Sequence, residues 1–545
     1  MEPVKNILFI MADQLRWDYL SCYGHPHLQT PNIDRLAERG VRFTRAYVQS
    51  PICGPSRMSF YTGRYVQSHG STWNGVPLQV GEMTLGDYLR PLGRRTALAG
   101  KTHMAADREG MARLGVDPNS IIGVLTSECG FEPFERDDGL HPDSNYAPPP
   151  AYNDYLRDKG YGGVNPWNWW ANGVEGDDGE PHLGWFLKYS DRPARVAEED
   201  SETPYMTRRA MRFMEEAGDE PWCLHLSYIK PHWPYIVPAP YHDMYAKDQI
   251  VPPIRSPDEL EDPHPVYAAF THHRFSEAFS KDEVRETVIP AYMGLIKQID
   301  DQLGLLFDFM NQRDLMDQTM IVFTSDHGDY LGDHWLGEKE LFHDPSVKIP
   351  LIISDPRSEA DATRGSVCDE LVESIDLVPT FVEAAGGKVQ PHRMEGLSLE
   401  PLLHGEPVTA WRKAAISEYD YSWRQARREL GVTVEDARMI MAVTDRWKYI
   451  LVEGFRPMLF DLETDPEELD DRGADPDLAS VRAELNETIF AWARRHHQRT
   501  TVSAERIEAA FGGEVDRGIL IGYWDEADLD AGAESADDAK PIKQN

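Results

Sequence analysis

The sequence is poor in cysteine and in positive charge, and each shortage argues against a class of protein. It has 545 residues but five scattered cysteines without a C-x-x-C pair, so no disulfide framework is expected. Lys and Arg number 55 against 92 Asp and Glu, which gives a formal net charge of −37. This charge disfavours nucleic acid and anionic membranes as partners, and an anion-binding site must build its own local positive field.

Long apolar runs are also missing. No segment approaches the roughly 18 apolar residues of a membrane span. The first apolar run, in "MEPVKNILFIMADQ", is short and ends at Asp13, without a basic region before it or a small-residue cleavage site after it. We therefore expect a cytoplasmic protein without a membrane partner.

Short apolar runs do alternate with helical patterns. Four of these runs lead into polar residues, namely Asp13, Lys101 with His103, His232, and Asp326 with His327. Between them lie segments such as "TPNIDRLAERG", where Thr30 can cap a helix that begins at Pro31. The alternation predicts an α/β protein with a mostly parallel sheet flanked by helices. Ligands of such sheets bind beyond the carboxyl ends of the strands, where the four polar clusters are expected.

The pattern changes in the last third of the chain. Short strands such as "RMIMAVTD" and "WKYILV" are followed by a helical pattern around "LASVRAELNETIFAWARRHHQ". The sequence ends in an acidic stretch that is poor in apolar residues. We predict a main α/β domain over residues 1–390, a smaller α+β domain over residues 391–515 and a tail over residues 516–545.

The stretch "SPICGPSRMSFYTGRY" places Cys53 just ahead of Pro55, which suits the first turn of a helix. Cys53 then lies at the positive end of that helix, where a thiolate or an oxyanion is stabilised, and Arg57 follows one turn later. Three interpretations fit these residues. Cys53 is a buried structural cysteine, a thiol nucleophile with a histidine base, or the precursor of a modified nucleophile.

The pentapeptide "CGPSR" resembles the C-x-P-S-R signature of the sulfatase family, within the alkaline phosphatase superfamily. "TGRY", "GKTHM", "KPHWPY" and "TSDHGDYLGDHWLGEKELFHDPSVKIPLI" resemble family segments in the same order, over about residues 5–465. "DHGDYLGDHWLGEKELFHD" is most similar to phosphonate monoester hydrolases and related bacterial arylsulfatases. The resemblance implies an alkaline-phosphatase-like fold and a formylglycine nucleophile, made from Cys53 by a formylglycine-generating enzyme.

The resemblance also implies one bound divalent metal ion. Its ligands would be Asp13, Gln14, Cys53 in its modified form, Asp326 and His327. Gln14 stands where many sulfatases have a second Asp, and His327 stands where many have Asn. One carboxylate fewer and one imidazole more favours Mn²⁺ over Ca²⁺.

The remaining site residues are carried over from the same resemblance. Arg57, Lys101 and Lys339 would supply positive charge to the non-bridging oxygens of the substrate, and Asn74 would bind one of those oxygens. His103 would take a proton from the formylglycine hydroxyl, and His232, with Lys339, would bind or protonate the leaving oxygen. "WNWW", Trp167 to Trp170, is expected to pack beneath an insertion rather than to wall a substrate pocket.

Three functions remain open at this point. The favoured one is hydrolysis of small-molecule sulfate monoesters of the arylsulfatase type, with promiscuity toward phosphonate and phosphate esters. The alternative is a phosphonate monoester hydrolase or phosphodiesterase, and the third is a non-catalytic binding protein. The apolar segment "FGGEVDRGILIGYW" could pack against another subunit, and enzymes that the sequence resembles are commonly oligomeric, so we expect a homo-oligomer.

Overall fold

The structure is a computed structural model that describes residues 2–139, 151–495 and 500–510. Of these residues, 2–139, 151–389 and 394–495 belong to one compact unit, and 390–393 with 500–510 belong to a second. The expected acidic tail and the segment "FGGEVDRGILIGYW" lie outside the described residues. The domain boundaries near residues 390 and 515 stay predictions.

Fifteen strands occur in the described residues. They are β1 Asn6–Asp13, β2 Val41–Tyr47, β3 Arg95–Gly100, β4 Glu132–Arg136, β5 Gly173–Glu175, β6 Pro181–Leu183, β7 Trp222–Pro231, β8 Thr319–Thr324, β9 Lys348–Ser354, β10 Ser366–Cys368, β11 Val372–Glu373, β12 Ala415–Asp420, β13 Arg438–Val443, β14 Trp447–Val452 and β15 Met458–Asp461.

Seventeen α-helices accompany these strands in the same ranges. They are α1 Pro31–Arg39, α2 Cys53–Thr62, α3 Val66–His69, α4 Leu85–Leu89, α5 Arg108–Leu114, α6 Ile121–Ser127, α7 Ala151–Asp158, α8 Glu202–Ala217, α9 Pro265–Thr271, α10 Arg274–Phe279, α11 Asp282–Asn311, α12 Asp344–Val347, α13 Leu377–Ala384, α14 Glu400–Leu403, α15 Gln425–Glu429, α16 Ala479–Arg495 and α17 Ala504–Ala510. None of these helices has both the length and the apolar character needed to span a lipid bilayer.

The main sheet has nine strands in the order β10-β2-β9-β8-β1-β7-β3-β4, with β11 beside β2. β9 runs antiparallel to β2 and β8, and the other pairs are parallel. Every residue of β1 and β7 is buried, as near-continuous apolar runs require when helices cover both faces of a sheet. This confirms the predicted α/β fold class.

The four polar strand ends lie on four adjacent strands, β8, β1, β7 and β3. These strands are mutually parallel, so their carboxyl ends meet at one edge of the sheet. β3 passes very close to β7 just before this edge. Gly100 has a φ of +120°, and a Cβ there would lie 1.9 Å from the Ser227 carbonyl oxygen, so glycine is required immediately before Lys101.

A second sheet follows in the order β12-β13-β14-β15, and all its pairs are antiparallel. It corresponds to the smaller α+β region expected from the sequence. One local prediction needs correction. Thr30 does occupy the N-cap position of α1, but its side chain bonds with Ser21 and makes no capping bond to the helix backbone.

Candidate active site

Helix α2 carries Cys53 into the edge where the four strands end. The helix begins at Cys53, after an extended Ile52, and stops at Gly63, which has a φ of +69°. All ten of its residues are buried, which explains why it lacks the polar face of a surface helix. The Cys53 thiol therefore lies at the positive end of a buried helix, as the sequence predicts.

Arg57, one turn further along α2, donates hydrogen bonds to residues at several of the strand ends. Its Nε donates to Asp326 Oδ2 at 2.7 Å, and Nη2 donates to Asp13 Oδ2 at 3.1 Å. Its Nη1 donates to the Lys101 carbonyl oxygen and to Ser227 Oγ, both at 2.8 Å. These bonds fix both carboxylates. Direct contact of Arg57 with substrate oxygens stays a prediction.

Four side chains could hold a metal ion together. The ligand atoms of Asp13, Cys53, Asp326 and His327 all lie within 4.8 Å of one another, and all four residues are buried. His327 Nδ1 donates to the Gly328 carbonyl oxygen at 2.8 Å, so Nε2 is the ring nitrogen that faces the group and would bind the metal. Two carboxylates with one imidazole fit a hard or intermediate divalent cation.

Gln14 borders this group from the end of β1. Its backbone N donates to Asp326 Oδ1 at 3.1 Å, and its Nε2 donates to Asp329 Oδ2 at 2.6 Å. Its Oε1 accepts a bond from Lys339 Nζ at 3.0 Å. The orientation of the amide is thus fixed by Asp329, with the oxygen turned toward Lys339.

Positive groups converge on the thiol. Lys339 Nζ lies 3.3 Å from Cys53 Sγ, and His327 Nε2 lies 3.0 Å from it. Lys101 Nζ pairs with Asp13 Oδ2 at 2.5 Å, so it reaches the thiol through its field rather than by contact. The structure therefore brings both lysines expected from the sequence into the same site.

The remaining expected residues also surround Cys53. His103 and His232 both lie near the thiol, and each interacts with it electrostatically. The backbone N of His103 donates to Asp138 Oδ1 at 3.0 Å, and His232 Nδ1 donates to the Trp233 carbonyl oxygen at 2.7 Å. Asn74 Oδ1 accepts a bond from Gly54 N at 2.7 Å, so it meets the start of α2.

The field of these groups changes the acidity of the site. Burial opposes ionisation of Cys53, but Lys339, and then Lys101 and His327, hold the pKa of its thiol well below the usual range. Burial also opposes the charge of Lys339, yet the Cys53 anion and Glu338 raise the pKa of its ammonium group. Burial lowers the pKa of His232 to about 4, so its imidazole is neutral near pH 7. The site can therefore stabilise an anion at the position of Cys53 Sγ.

Sequence reasoning missed several residues that hold this arrangement. Asp329 orients Gln14 and accepts a bond from the Tyr235 hydroxyl at 2.6 Å. Ser227, inside the apolar run of β7, supports Arg57 and gives no signal in the sequence. Asp138 could have been found, because it follows β4 just as the other polar residues follow their strands.

The fold and the site define a hydrolase of the alkaline phosphatase superfamily. The sulfatase family model matches residues 5–387, and the model of the C-terminal region of N-sulphoglucosamine sulphohydrolase matches residues 332–495. The chain belongs to the sulfatase family, whose members act on small-molecule sulfate esters, and the resemblance seen in the sequence is thereby confirmed.

Individual relatives cover nearly the whole chain. The multifunctional alkaline phosphatase superfamily protein PehA of Trinickia caryophylli is 31% identical, over 91% of this chain and 96% of that protein. An arylsulfatase of Clostridium perfringens is 27% identical, over 86% of this chain and 90% of that protein. The solved phosphonate monoester hydrolase of Silicibacter pomeroyi is 28% identical and covers 92% of this chain and 98% of its own, with a TM-score of 0.80.

Proposed function

We propose that the protein hydrolyses sulfate monoesters of the arylsulfatase type, with phosphonate and phosphate esters as further substrates. One observation carries the proposal: the Lys339 ammonium group and the imidazole of His327 lie within 3.3 Å of Cys53 Sγ, at the head of α2. A tetrahedral ester with a negative charge needs such a field at the atom that attacks it. This arrangement also opposes a purely structural role for Cys53.

The nucleophile is formylglycine made from Cys53 by a formylglycine-generating enzyme. Its hydrate supplies one hydroxyl that attacks the ester and a second whose deprotonation releases the inorganic group. A divalent ion held by Asp13, Asp326, His327 and residue 53, with Gln14 beside them, would polarise the ester oxygens. The imidazole and the reduced number of carboxylates favour Mn²⁺ over Ca²⁺ as that ion.

The proton transfers fall to the two remaining histidines. His103, which lies near residue 53, would take the proton of the second hydroxyl. His232 donates from Nδ1 to Trp233, so Nε2 is the ring nitrogen that would bind or protonate the leaving oxygen, together with Lys339. Lys339, whose raised pKa keeps its ammonium group charged, then stabilises the leaving oxygen. Asn74, whose Oδ1 accepts from Gly54 N, would bind a substrate oxygen near the start of α2.

The second candidate is a phosphonate monoester hydrolase or phosphodiesterase. It is favoured by Gln14 and His327, and by the likeness to PehA and to the hydrolase of Silicibacter pomeroyi. Both ester classes carry one negative charge on a tetrahedral centre, so the field of the site suits both. A homo-oligomer and a cytoplasmic location remain predictions.

A substrate panel separates the candidates. The purified enzyme, loaded with Mn²⁺, is assayed with phenyl sulfate, phenyl methylphosphonate and a phenyl phosphodiester, and kcat/KM is measured for each. We expect all three to be hydrolysed, with the highest value for the sulfate. A higher value for the phosphonate or the diester would transfer the assignment to the second candidate, and no turnover of any ester would reject both.

A further inference from the structure

An apolar cleft of about 590 Å³ adjoins the site, and the catalytic scheme leaves it unused. Its wall is mainly aromatic, and is formed by Trp185, Phe186, Trp233, Phe275 and Phe279. The volume lies in the range of pockets that enclose small organic ligands. Phe186 in this wall is 60% exposed.

The inner end of the cleft touches the residues that would act on the leaving oxygen. Trp233 follows His232 in the chain, and Glu338 precedes Lys339, and both line the cleft. The Lys339 ammonium nitrogen lies 5.8 Å from the centre of the Trp233 ring and 3.3 Å from Cys53 Sγ. A group that leaves residue 53 on the side of Lys339 and His232 therefore faces the aromatic wall.

The wall is held in place from behind. Trp185 packs on Trp233 with ring centres 5.1 Å apart, and its Nε1 donates to Asn168 Oδ1 at 2.6 Å. The buried Trp167 also packs against Trp185, with ring centres 6.1 Å apart. Residues of the "WNWW" segment therefore pack behind the wall, while Trp185 itself faces the cleft.

Charge at the mouth of the cleft has one dominant sign. Lys188 and Arg274 line it and are exposed, in a chain whose net charge is −37. Glu338, which also lines it, already accepts a bond from Trp233 Nε1 at 2.9 Å and pairs with Lys339 at 3.5 Å. The cleft therefore combines an apolar body with a basic mouth.

We infer that this cleft receives the leaving group, and that the preferred substrates carry a ring-sized or larger apolar alcohol or phenol. An anionic substituent at the far end of that group improves binding, because it meets Lys188 and Arg274 rather than a carboxylate. The inference rests on the proposed ester hydrolysis and names the class of alcohol that is released. Specificity of this kind comes from apolar contact, which discriminates by about ten- to two-hundredfold per feature.

The first test compares leaving groups that differ in size but little in acidity. For 2-naphthylmethyl and methyl esters of the same acid, whose leaving alcohols have nearly equal acidity, Phe275→Ala should lower the ratio of their kcat/KM values by about tenfold. Phe490→Ala, which removes an exposed phenylalanine of α16, is the matched control and should leave this ratio unchanged. An equal loss for both esters in Phe275→Ala would overturn the inference.

The second test reads binding without turnover. In the Cys53→Ala variant, 2-naphthol should bind saturably and change the fluorescence of Trp185 and Trp233, and Phe275→Ala should weaken this binding about tenfold. A carboxylated naphthol should bind more tightly than 2-naphthol, and Lys188→Glu should reverse that preference while Lys413→Glu, at another exposed lysine, should not.

The two tests separate this inference from the proposed function. Binding of naphthol that depends on Phe275, in a protein that hydrolyses none of the esters, would support the cleft and reject the ester hydrolase. Hydrolysis of esters without any effect of Phe275→Ala on naphthol binding would support the hydrolase and overturn the cleft.

Discussion

Two arginines, the buried Arg57 and the largely buried Arg412, are each surrounded by carboxylates, and only Arg57 lies in the candidate site. Arg412 Nη1 and Nη2 donate to the two oxygens of Asp376, both at 2.5 Å, and its Nε lies 3.1 Å from Glu373. Backbone N–H groups and the Tyr65 hydroxyl donate to the same two carboxylates. The acceptors of this cluster are satisfied from within, and it fixes the segments that precede β12 and α13.

The cluster around Arg57 is arranged differently. Asp13 and Asp326 also accept hydrogen bonds from an arginine. Lys339 and the imidazole of His327, however, both contact a single sulfur atom, and a buried thiol does not need such polar partners to be stable. Burial and pairing are therefore shared by structural and functional clusters. What marks the site is that donors and a metal-ligand group converge on one reactive atom.

The largest expected effect is that of removing the reactive atom. Cys53→Ala should lower kcat/KM for every ester by at least about a thousandfold, because the nucleophile is lost, while the far-ultraviolet circular dichroism stays unchanged. The active wild-type protein should have an intact mass about 18 Da below that of the unmodified chain. Full activity of Cys53→Ala would reject the formylglycine mechanism.

The matching change in the structural cluster should act on stability. Arg412→Ala leaves the buried carboxylates Asp376 and Glu373 without their cation, so the free energy of unfolding should fall by about 3–5 kcal/mol. Denaturant titration measures this loss. The folded fraction should keep its kcat/KM, and a selective loss of kcat/KM in a stably folded variant would show that Arg412 serves the chemistry.

Removal of the metal should lower the activity of the site and leave the structural cluster around Arg412 unchanged. Chelation should lower kcat/KM by about a hundredfold, an estimate from the charge that a metal ion stabilises in a transition state. Mn²⁺ should restore activity at least as well as Ca²⁺, and Asp326→Asn should weaken Mn²⁺ binding in calorimetry. Stoichiometric zinc in a fully active enzyme that ignores Mn²⁺ would contradict the assignment.

The smallest expected effect concerns a charge that acts without contact. Lys101 pairs with Asp13 and lies in the field of Cys53, so Lys101→Ala should raise the barrier for sulfate esters by about 2 kcal/mol. Phosphonate esters, which rely more on the metal, should lose less. If kcat/KM falls equally for both ester classes, the phosphonate hydrolase becomes the better assignment.

Much of the fold could be predicted because its signals are local. The apolar runs of β1, β3, β7 and β8 end at the expected polar residues, and α2 begins at Cys53 as its Pro55 predicts. The supports of the site could not be predicted in the same way. Asp329 and Ser227 act through partners that lie far away in the sequence, and the residues next to them give no signal of these contacts.

The sequence by itself determined which residues end each strand, where the helix of Cys53 starts, and which family the motifs resemble, because short-range patterning carries all three. Only the tertiary structure decided that β8, β1, β7 and β3 are neighbours, which brings Asp13 and Asp326 to the same arginine across more than 300 residues of sequence. It also assembled the cleft from Trp185, Trp233 and Phe275, on three separate segments. Strand order and the packing of distant segments depend on long-range contacts, which no local pattern of residues records.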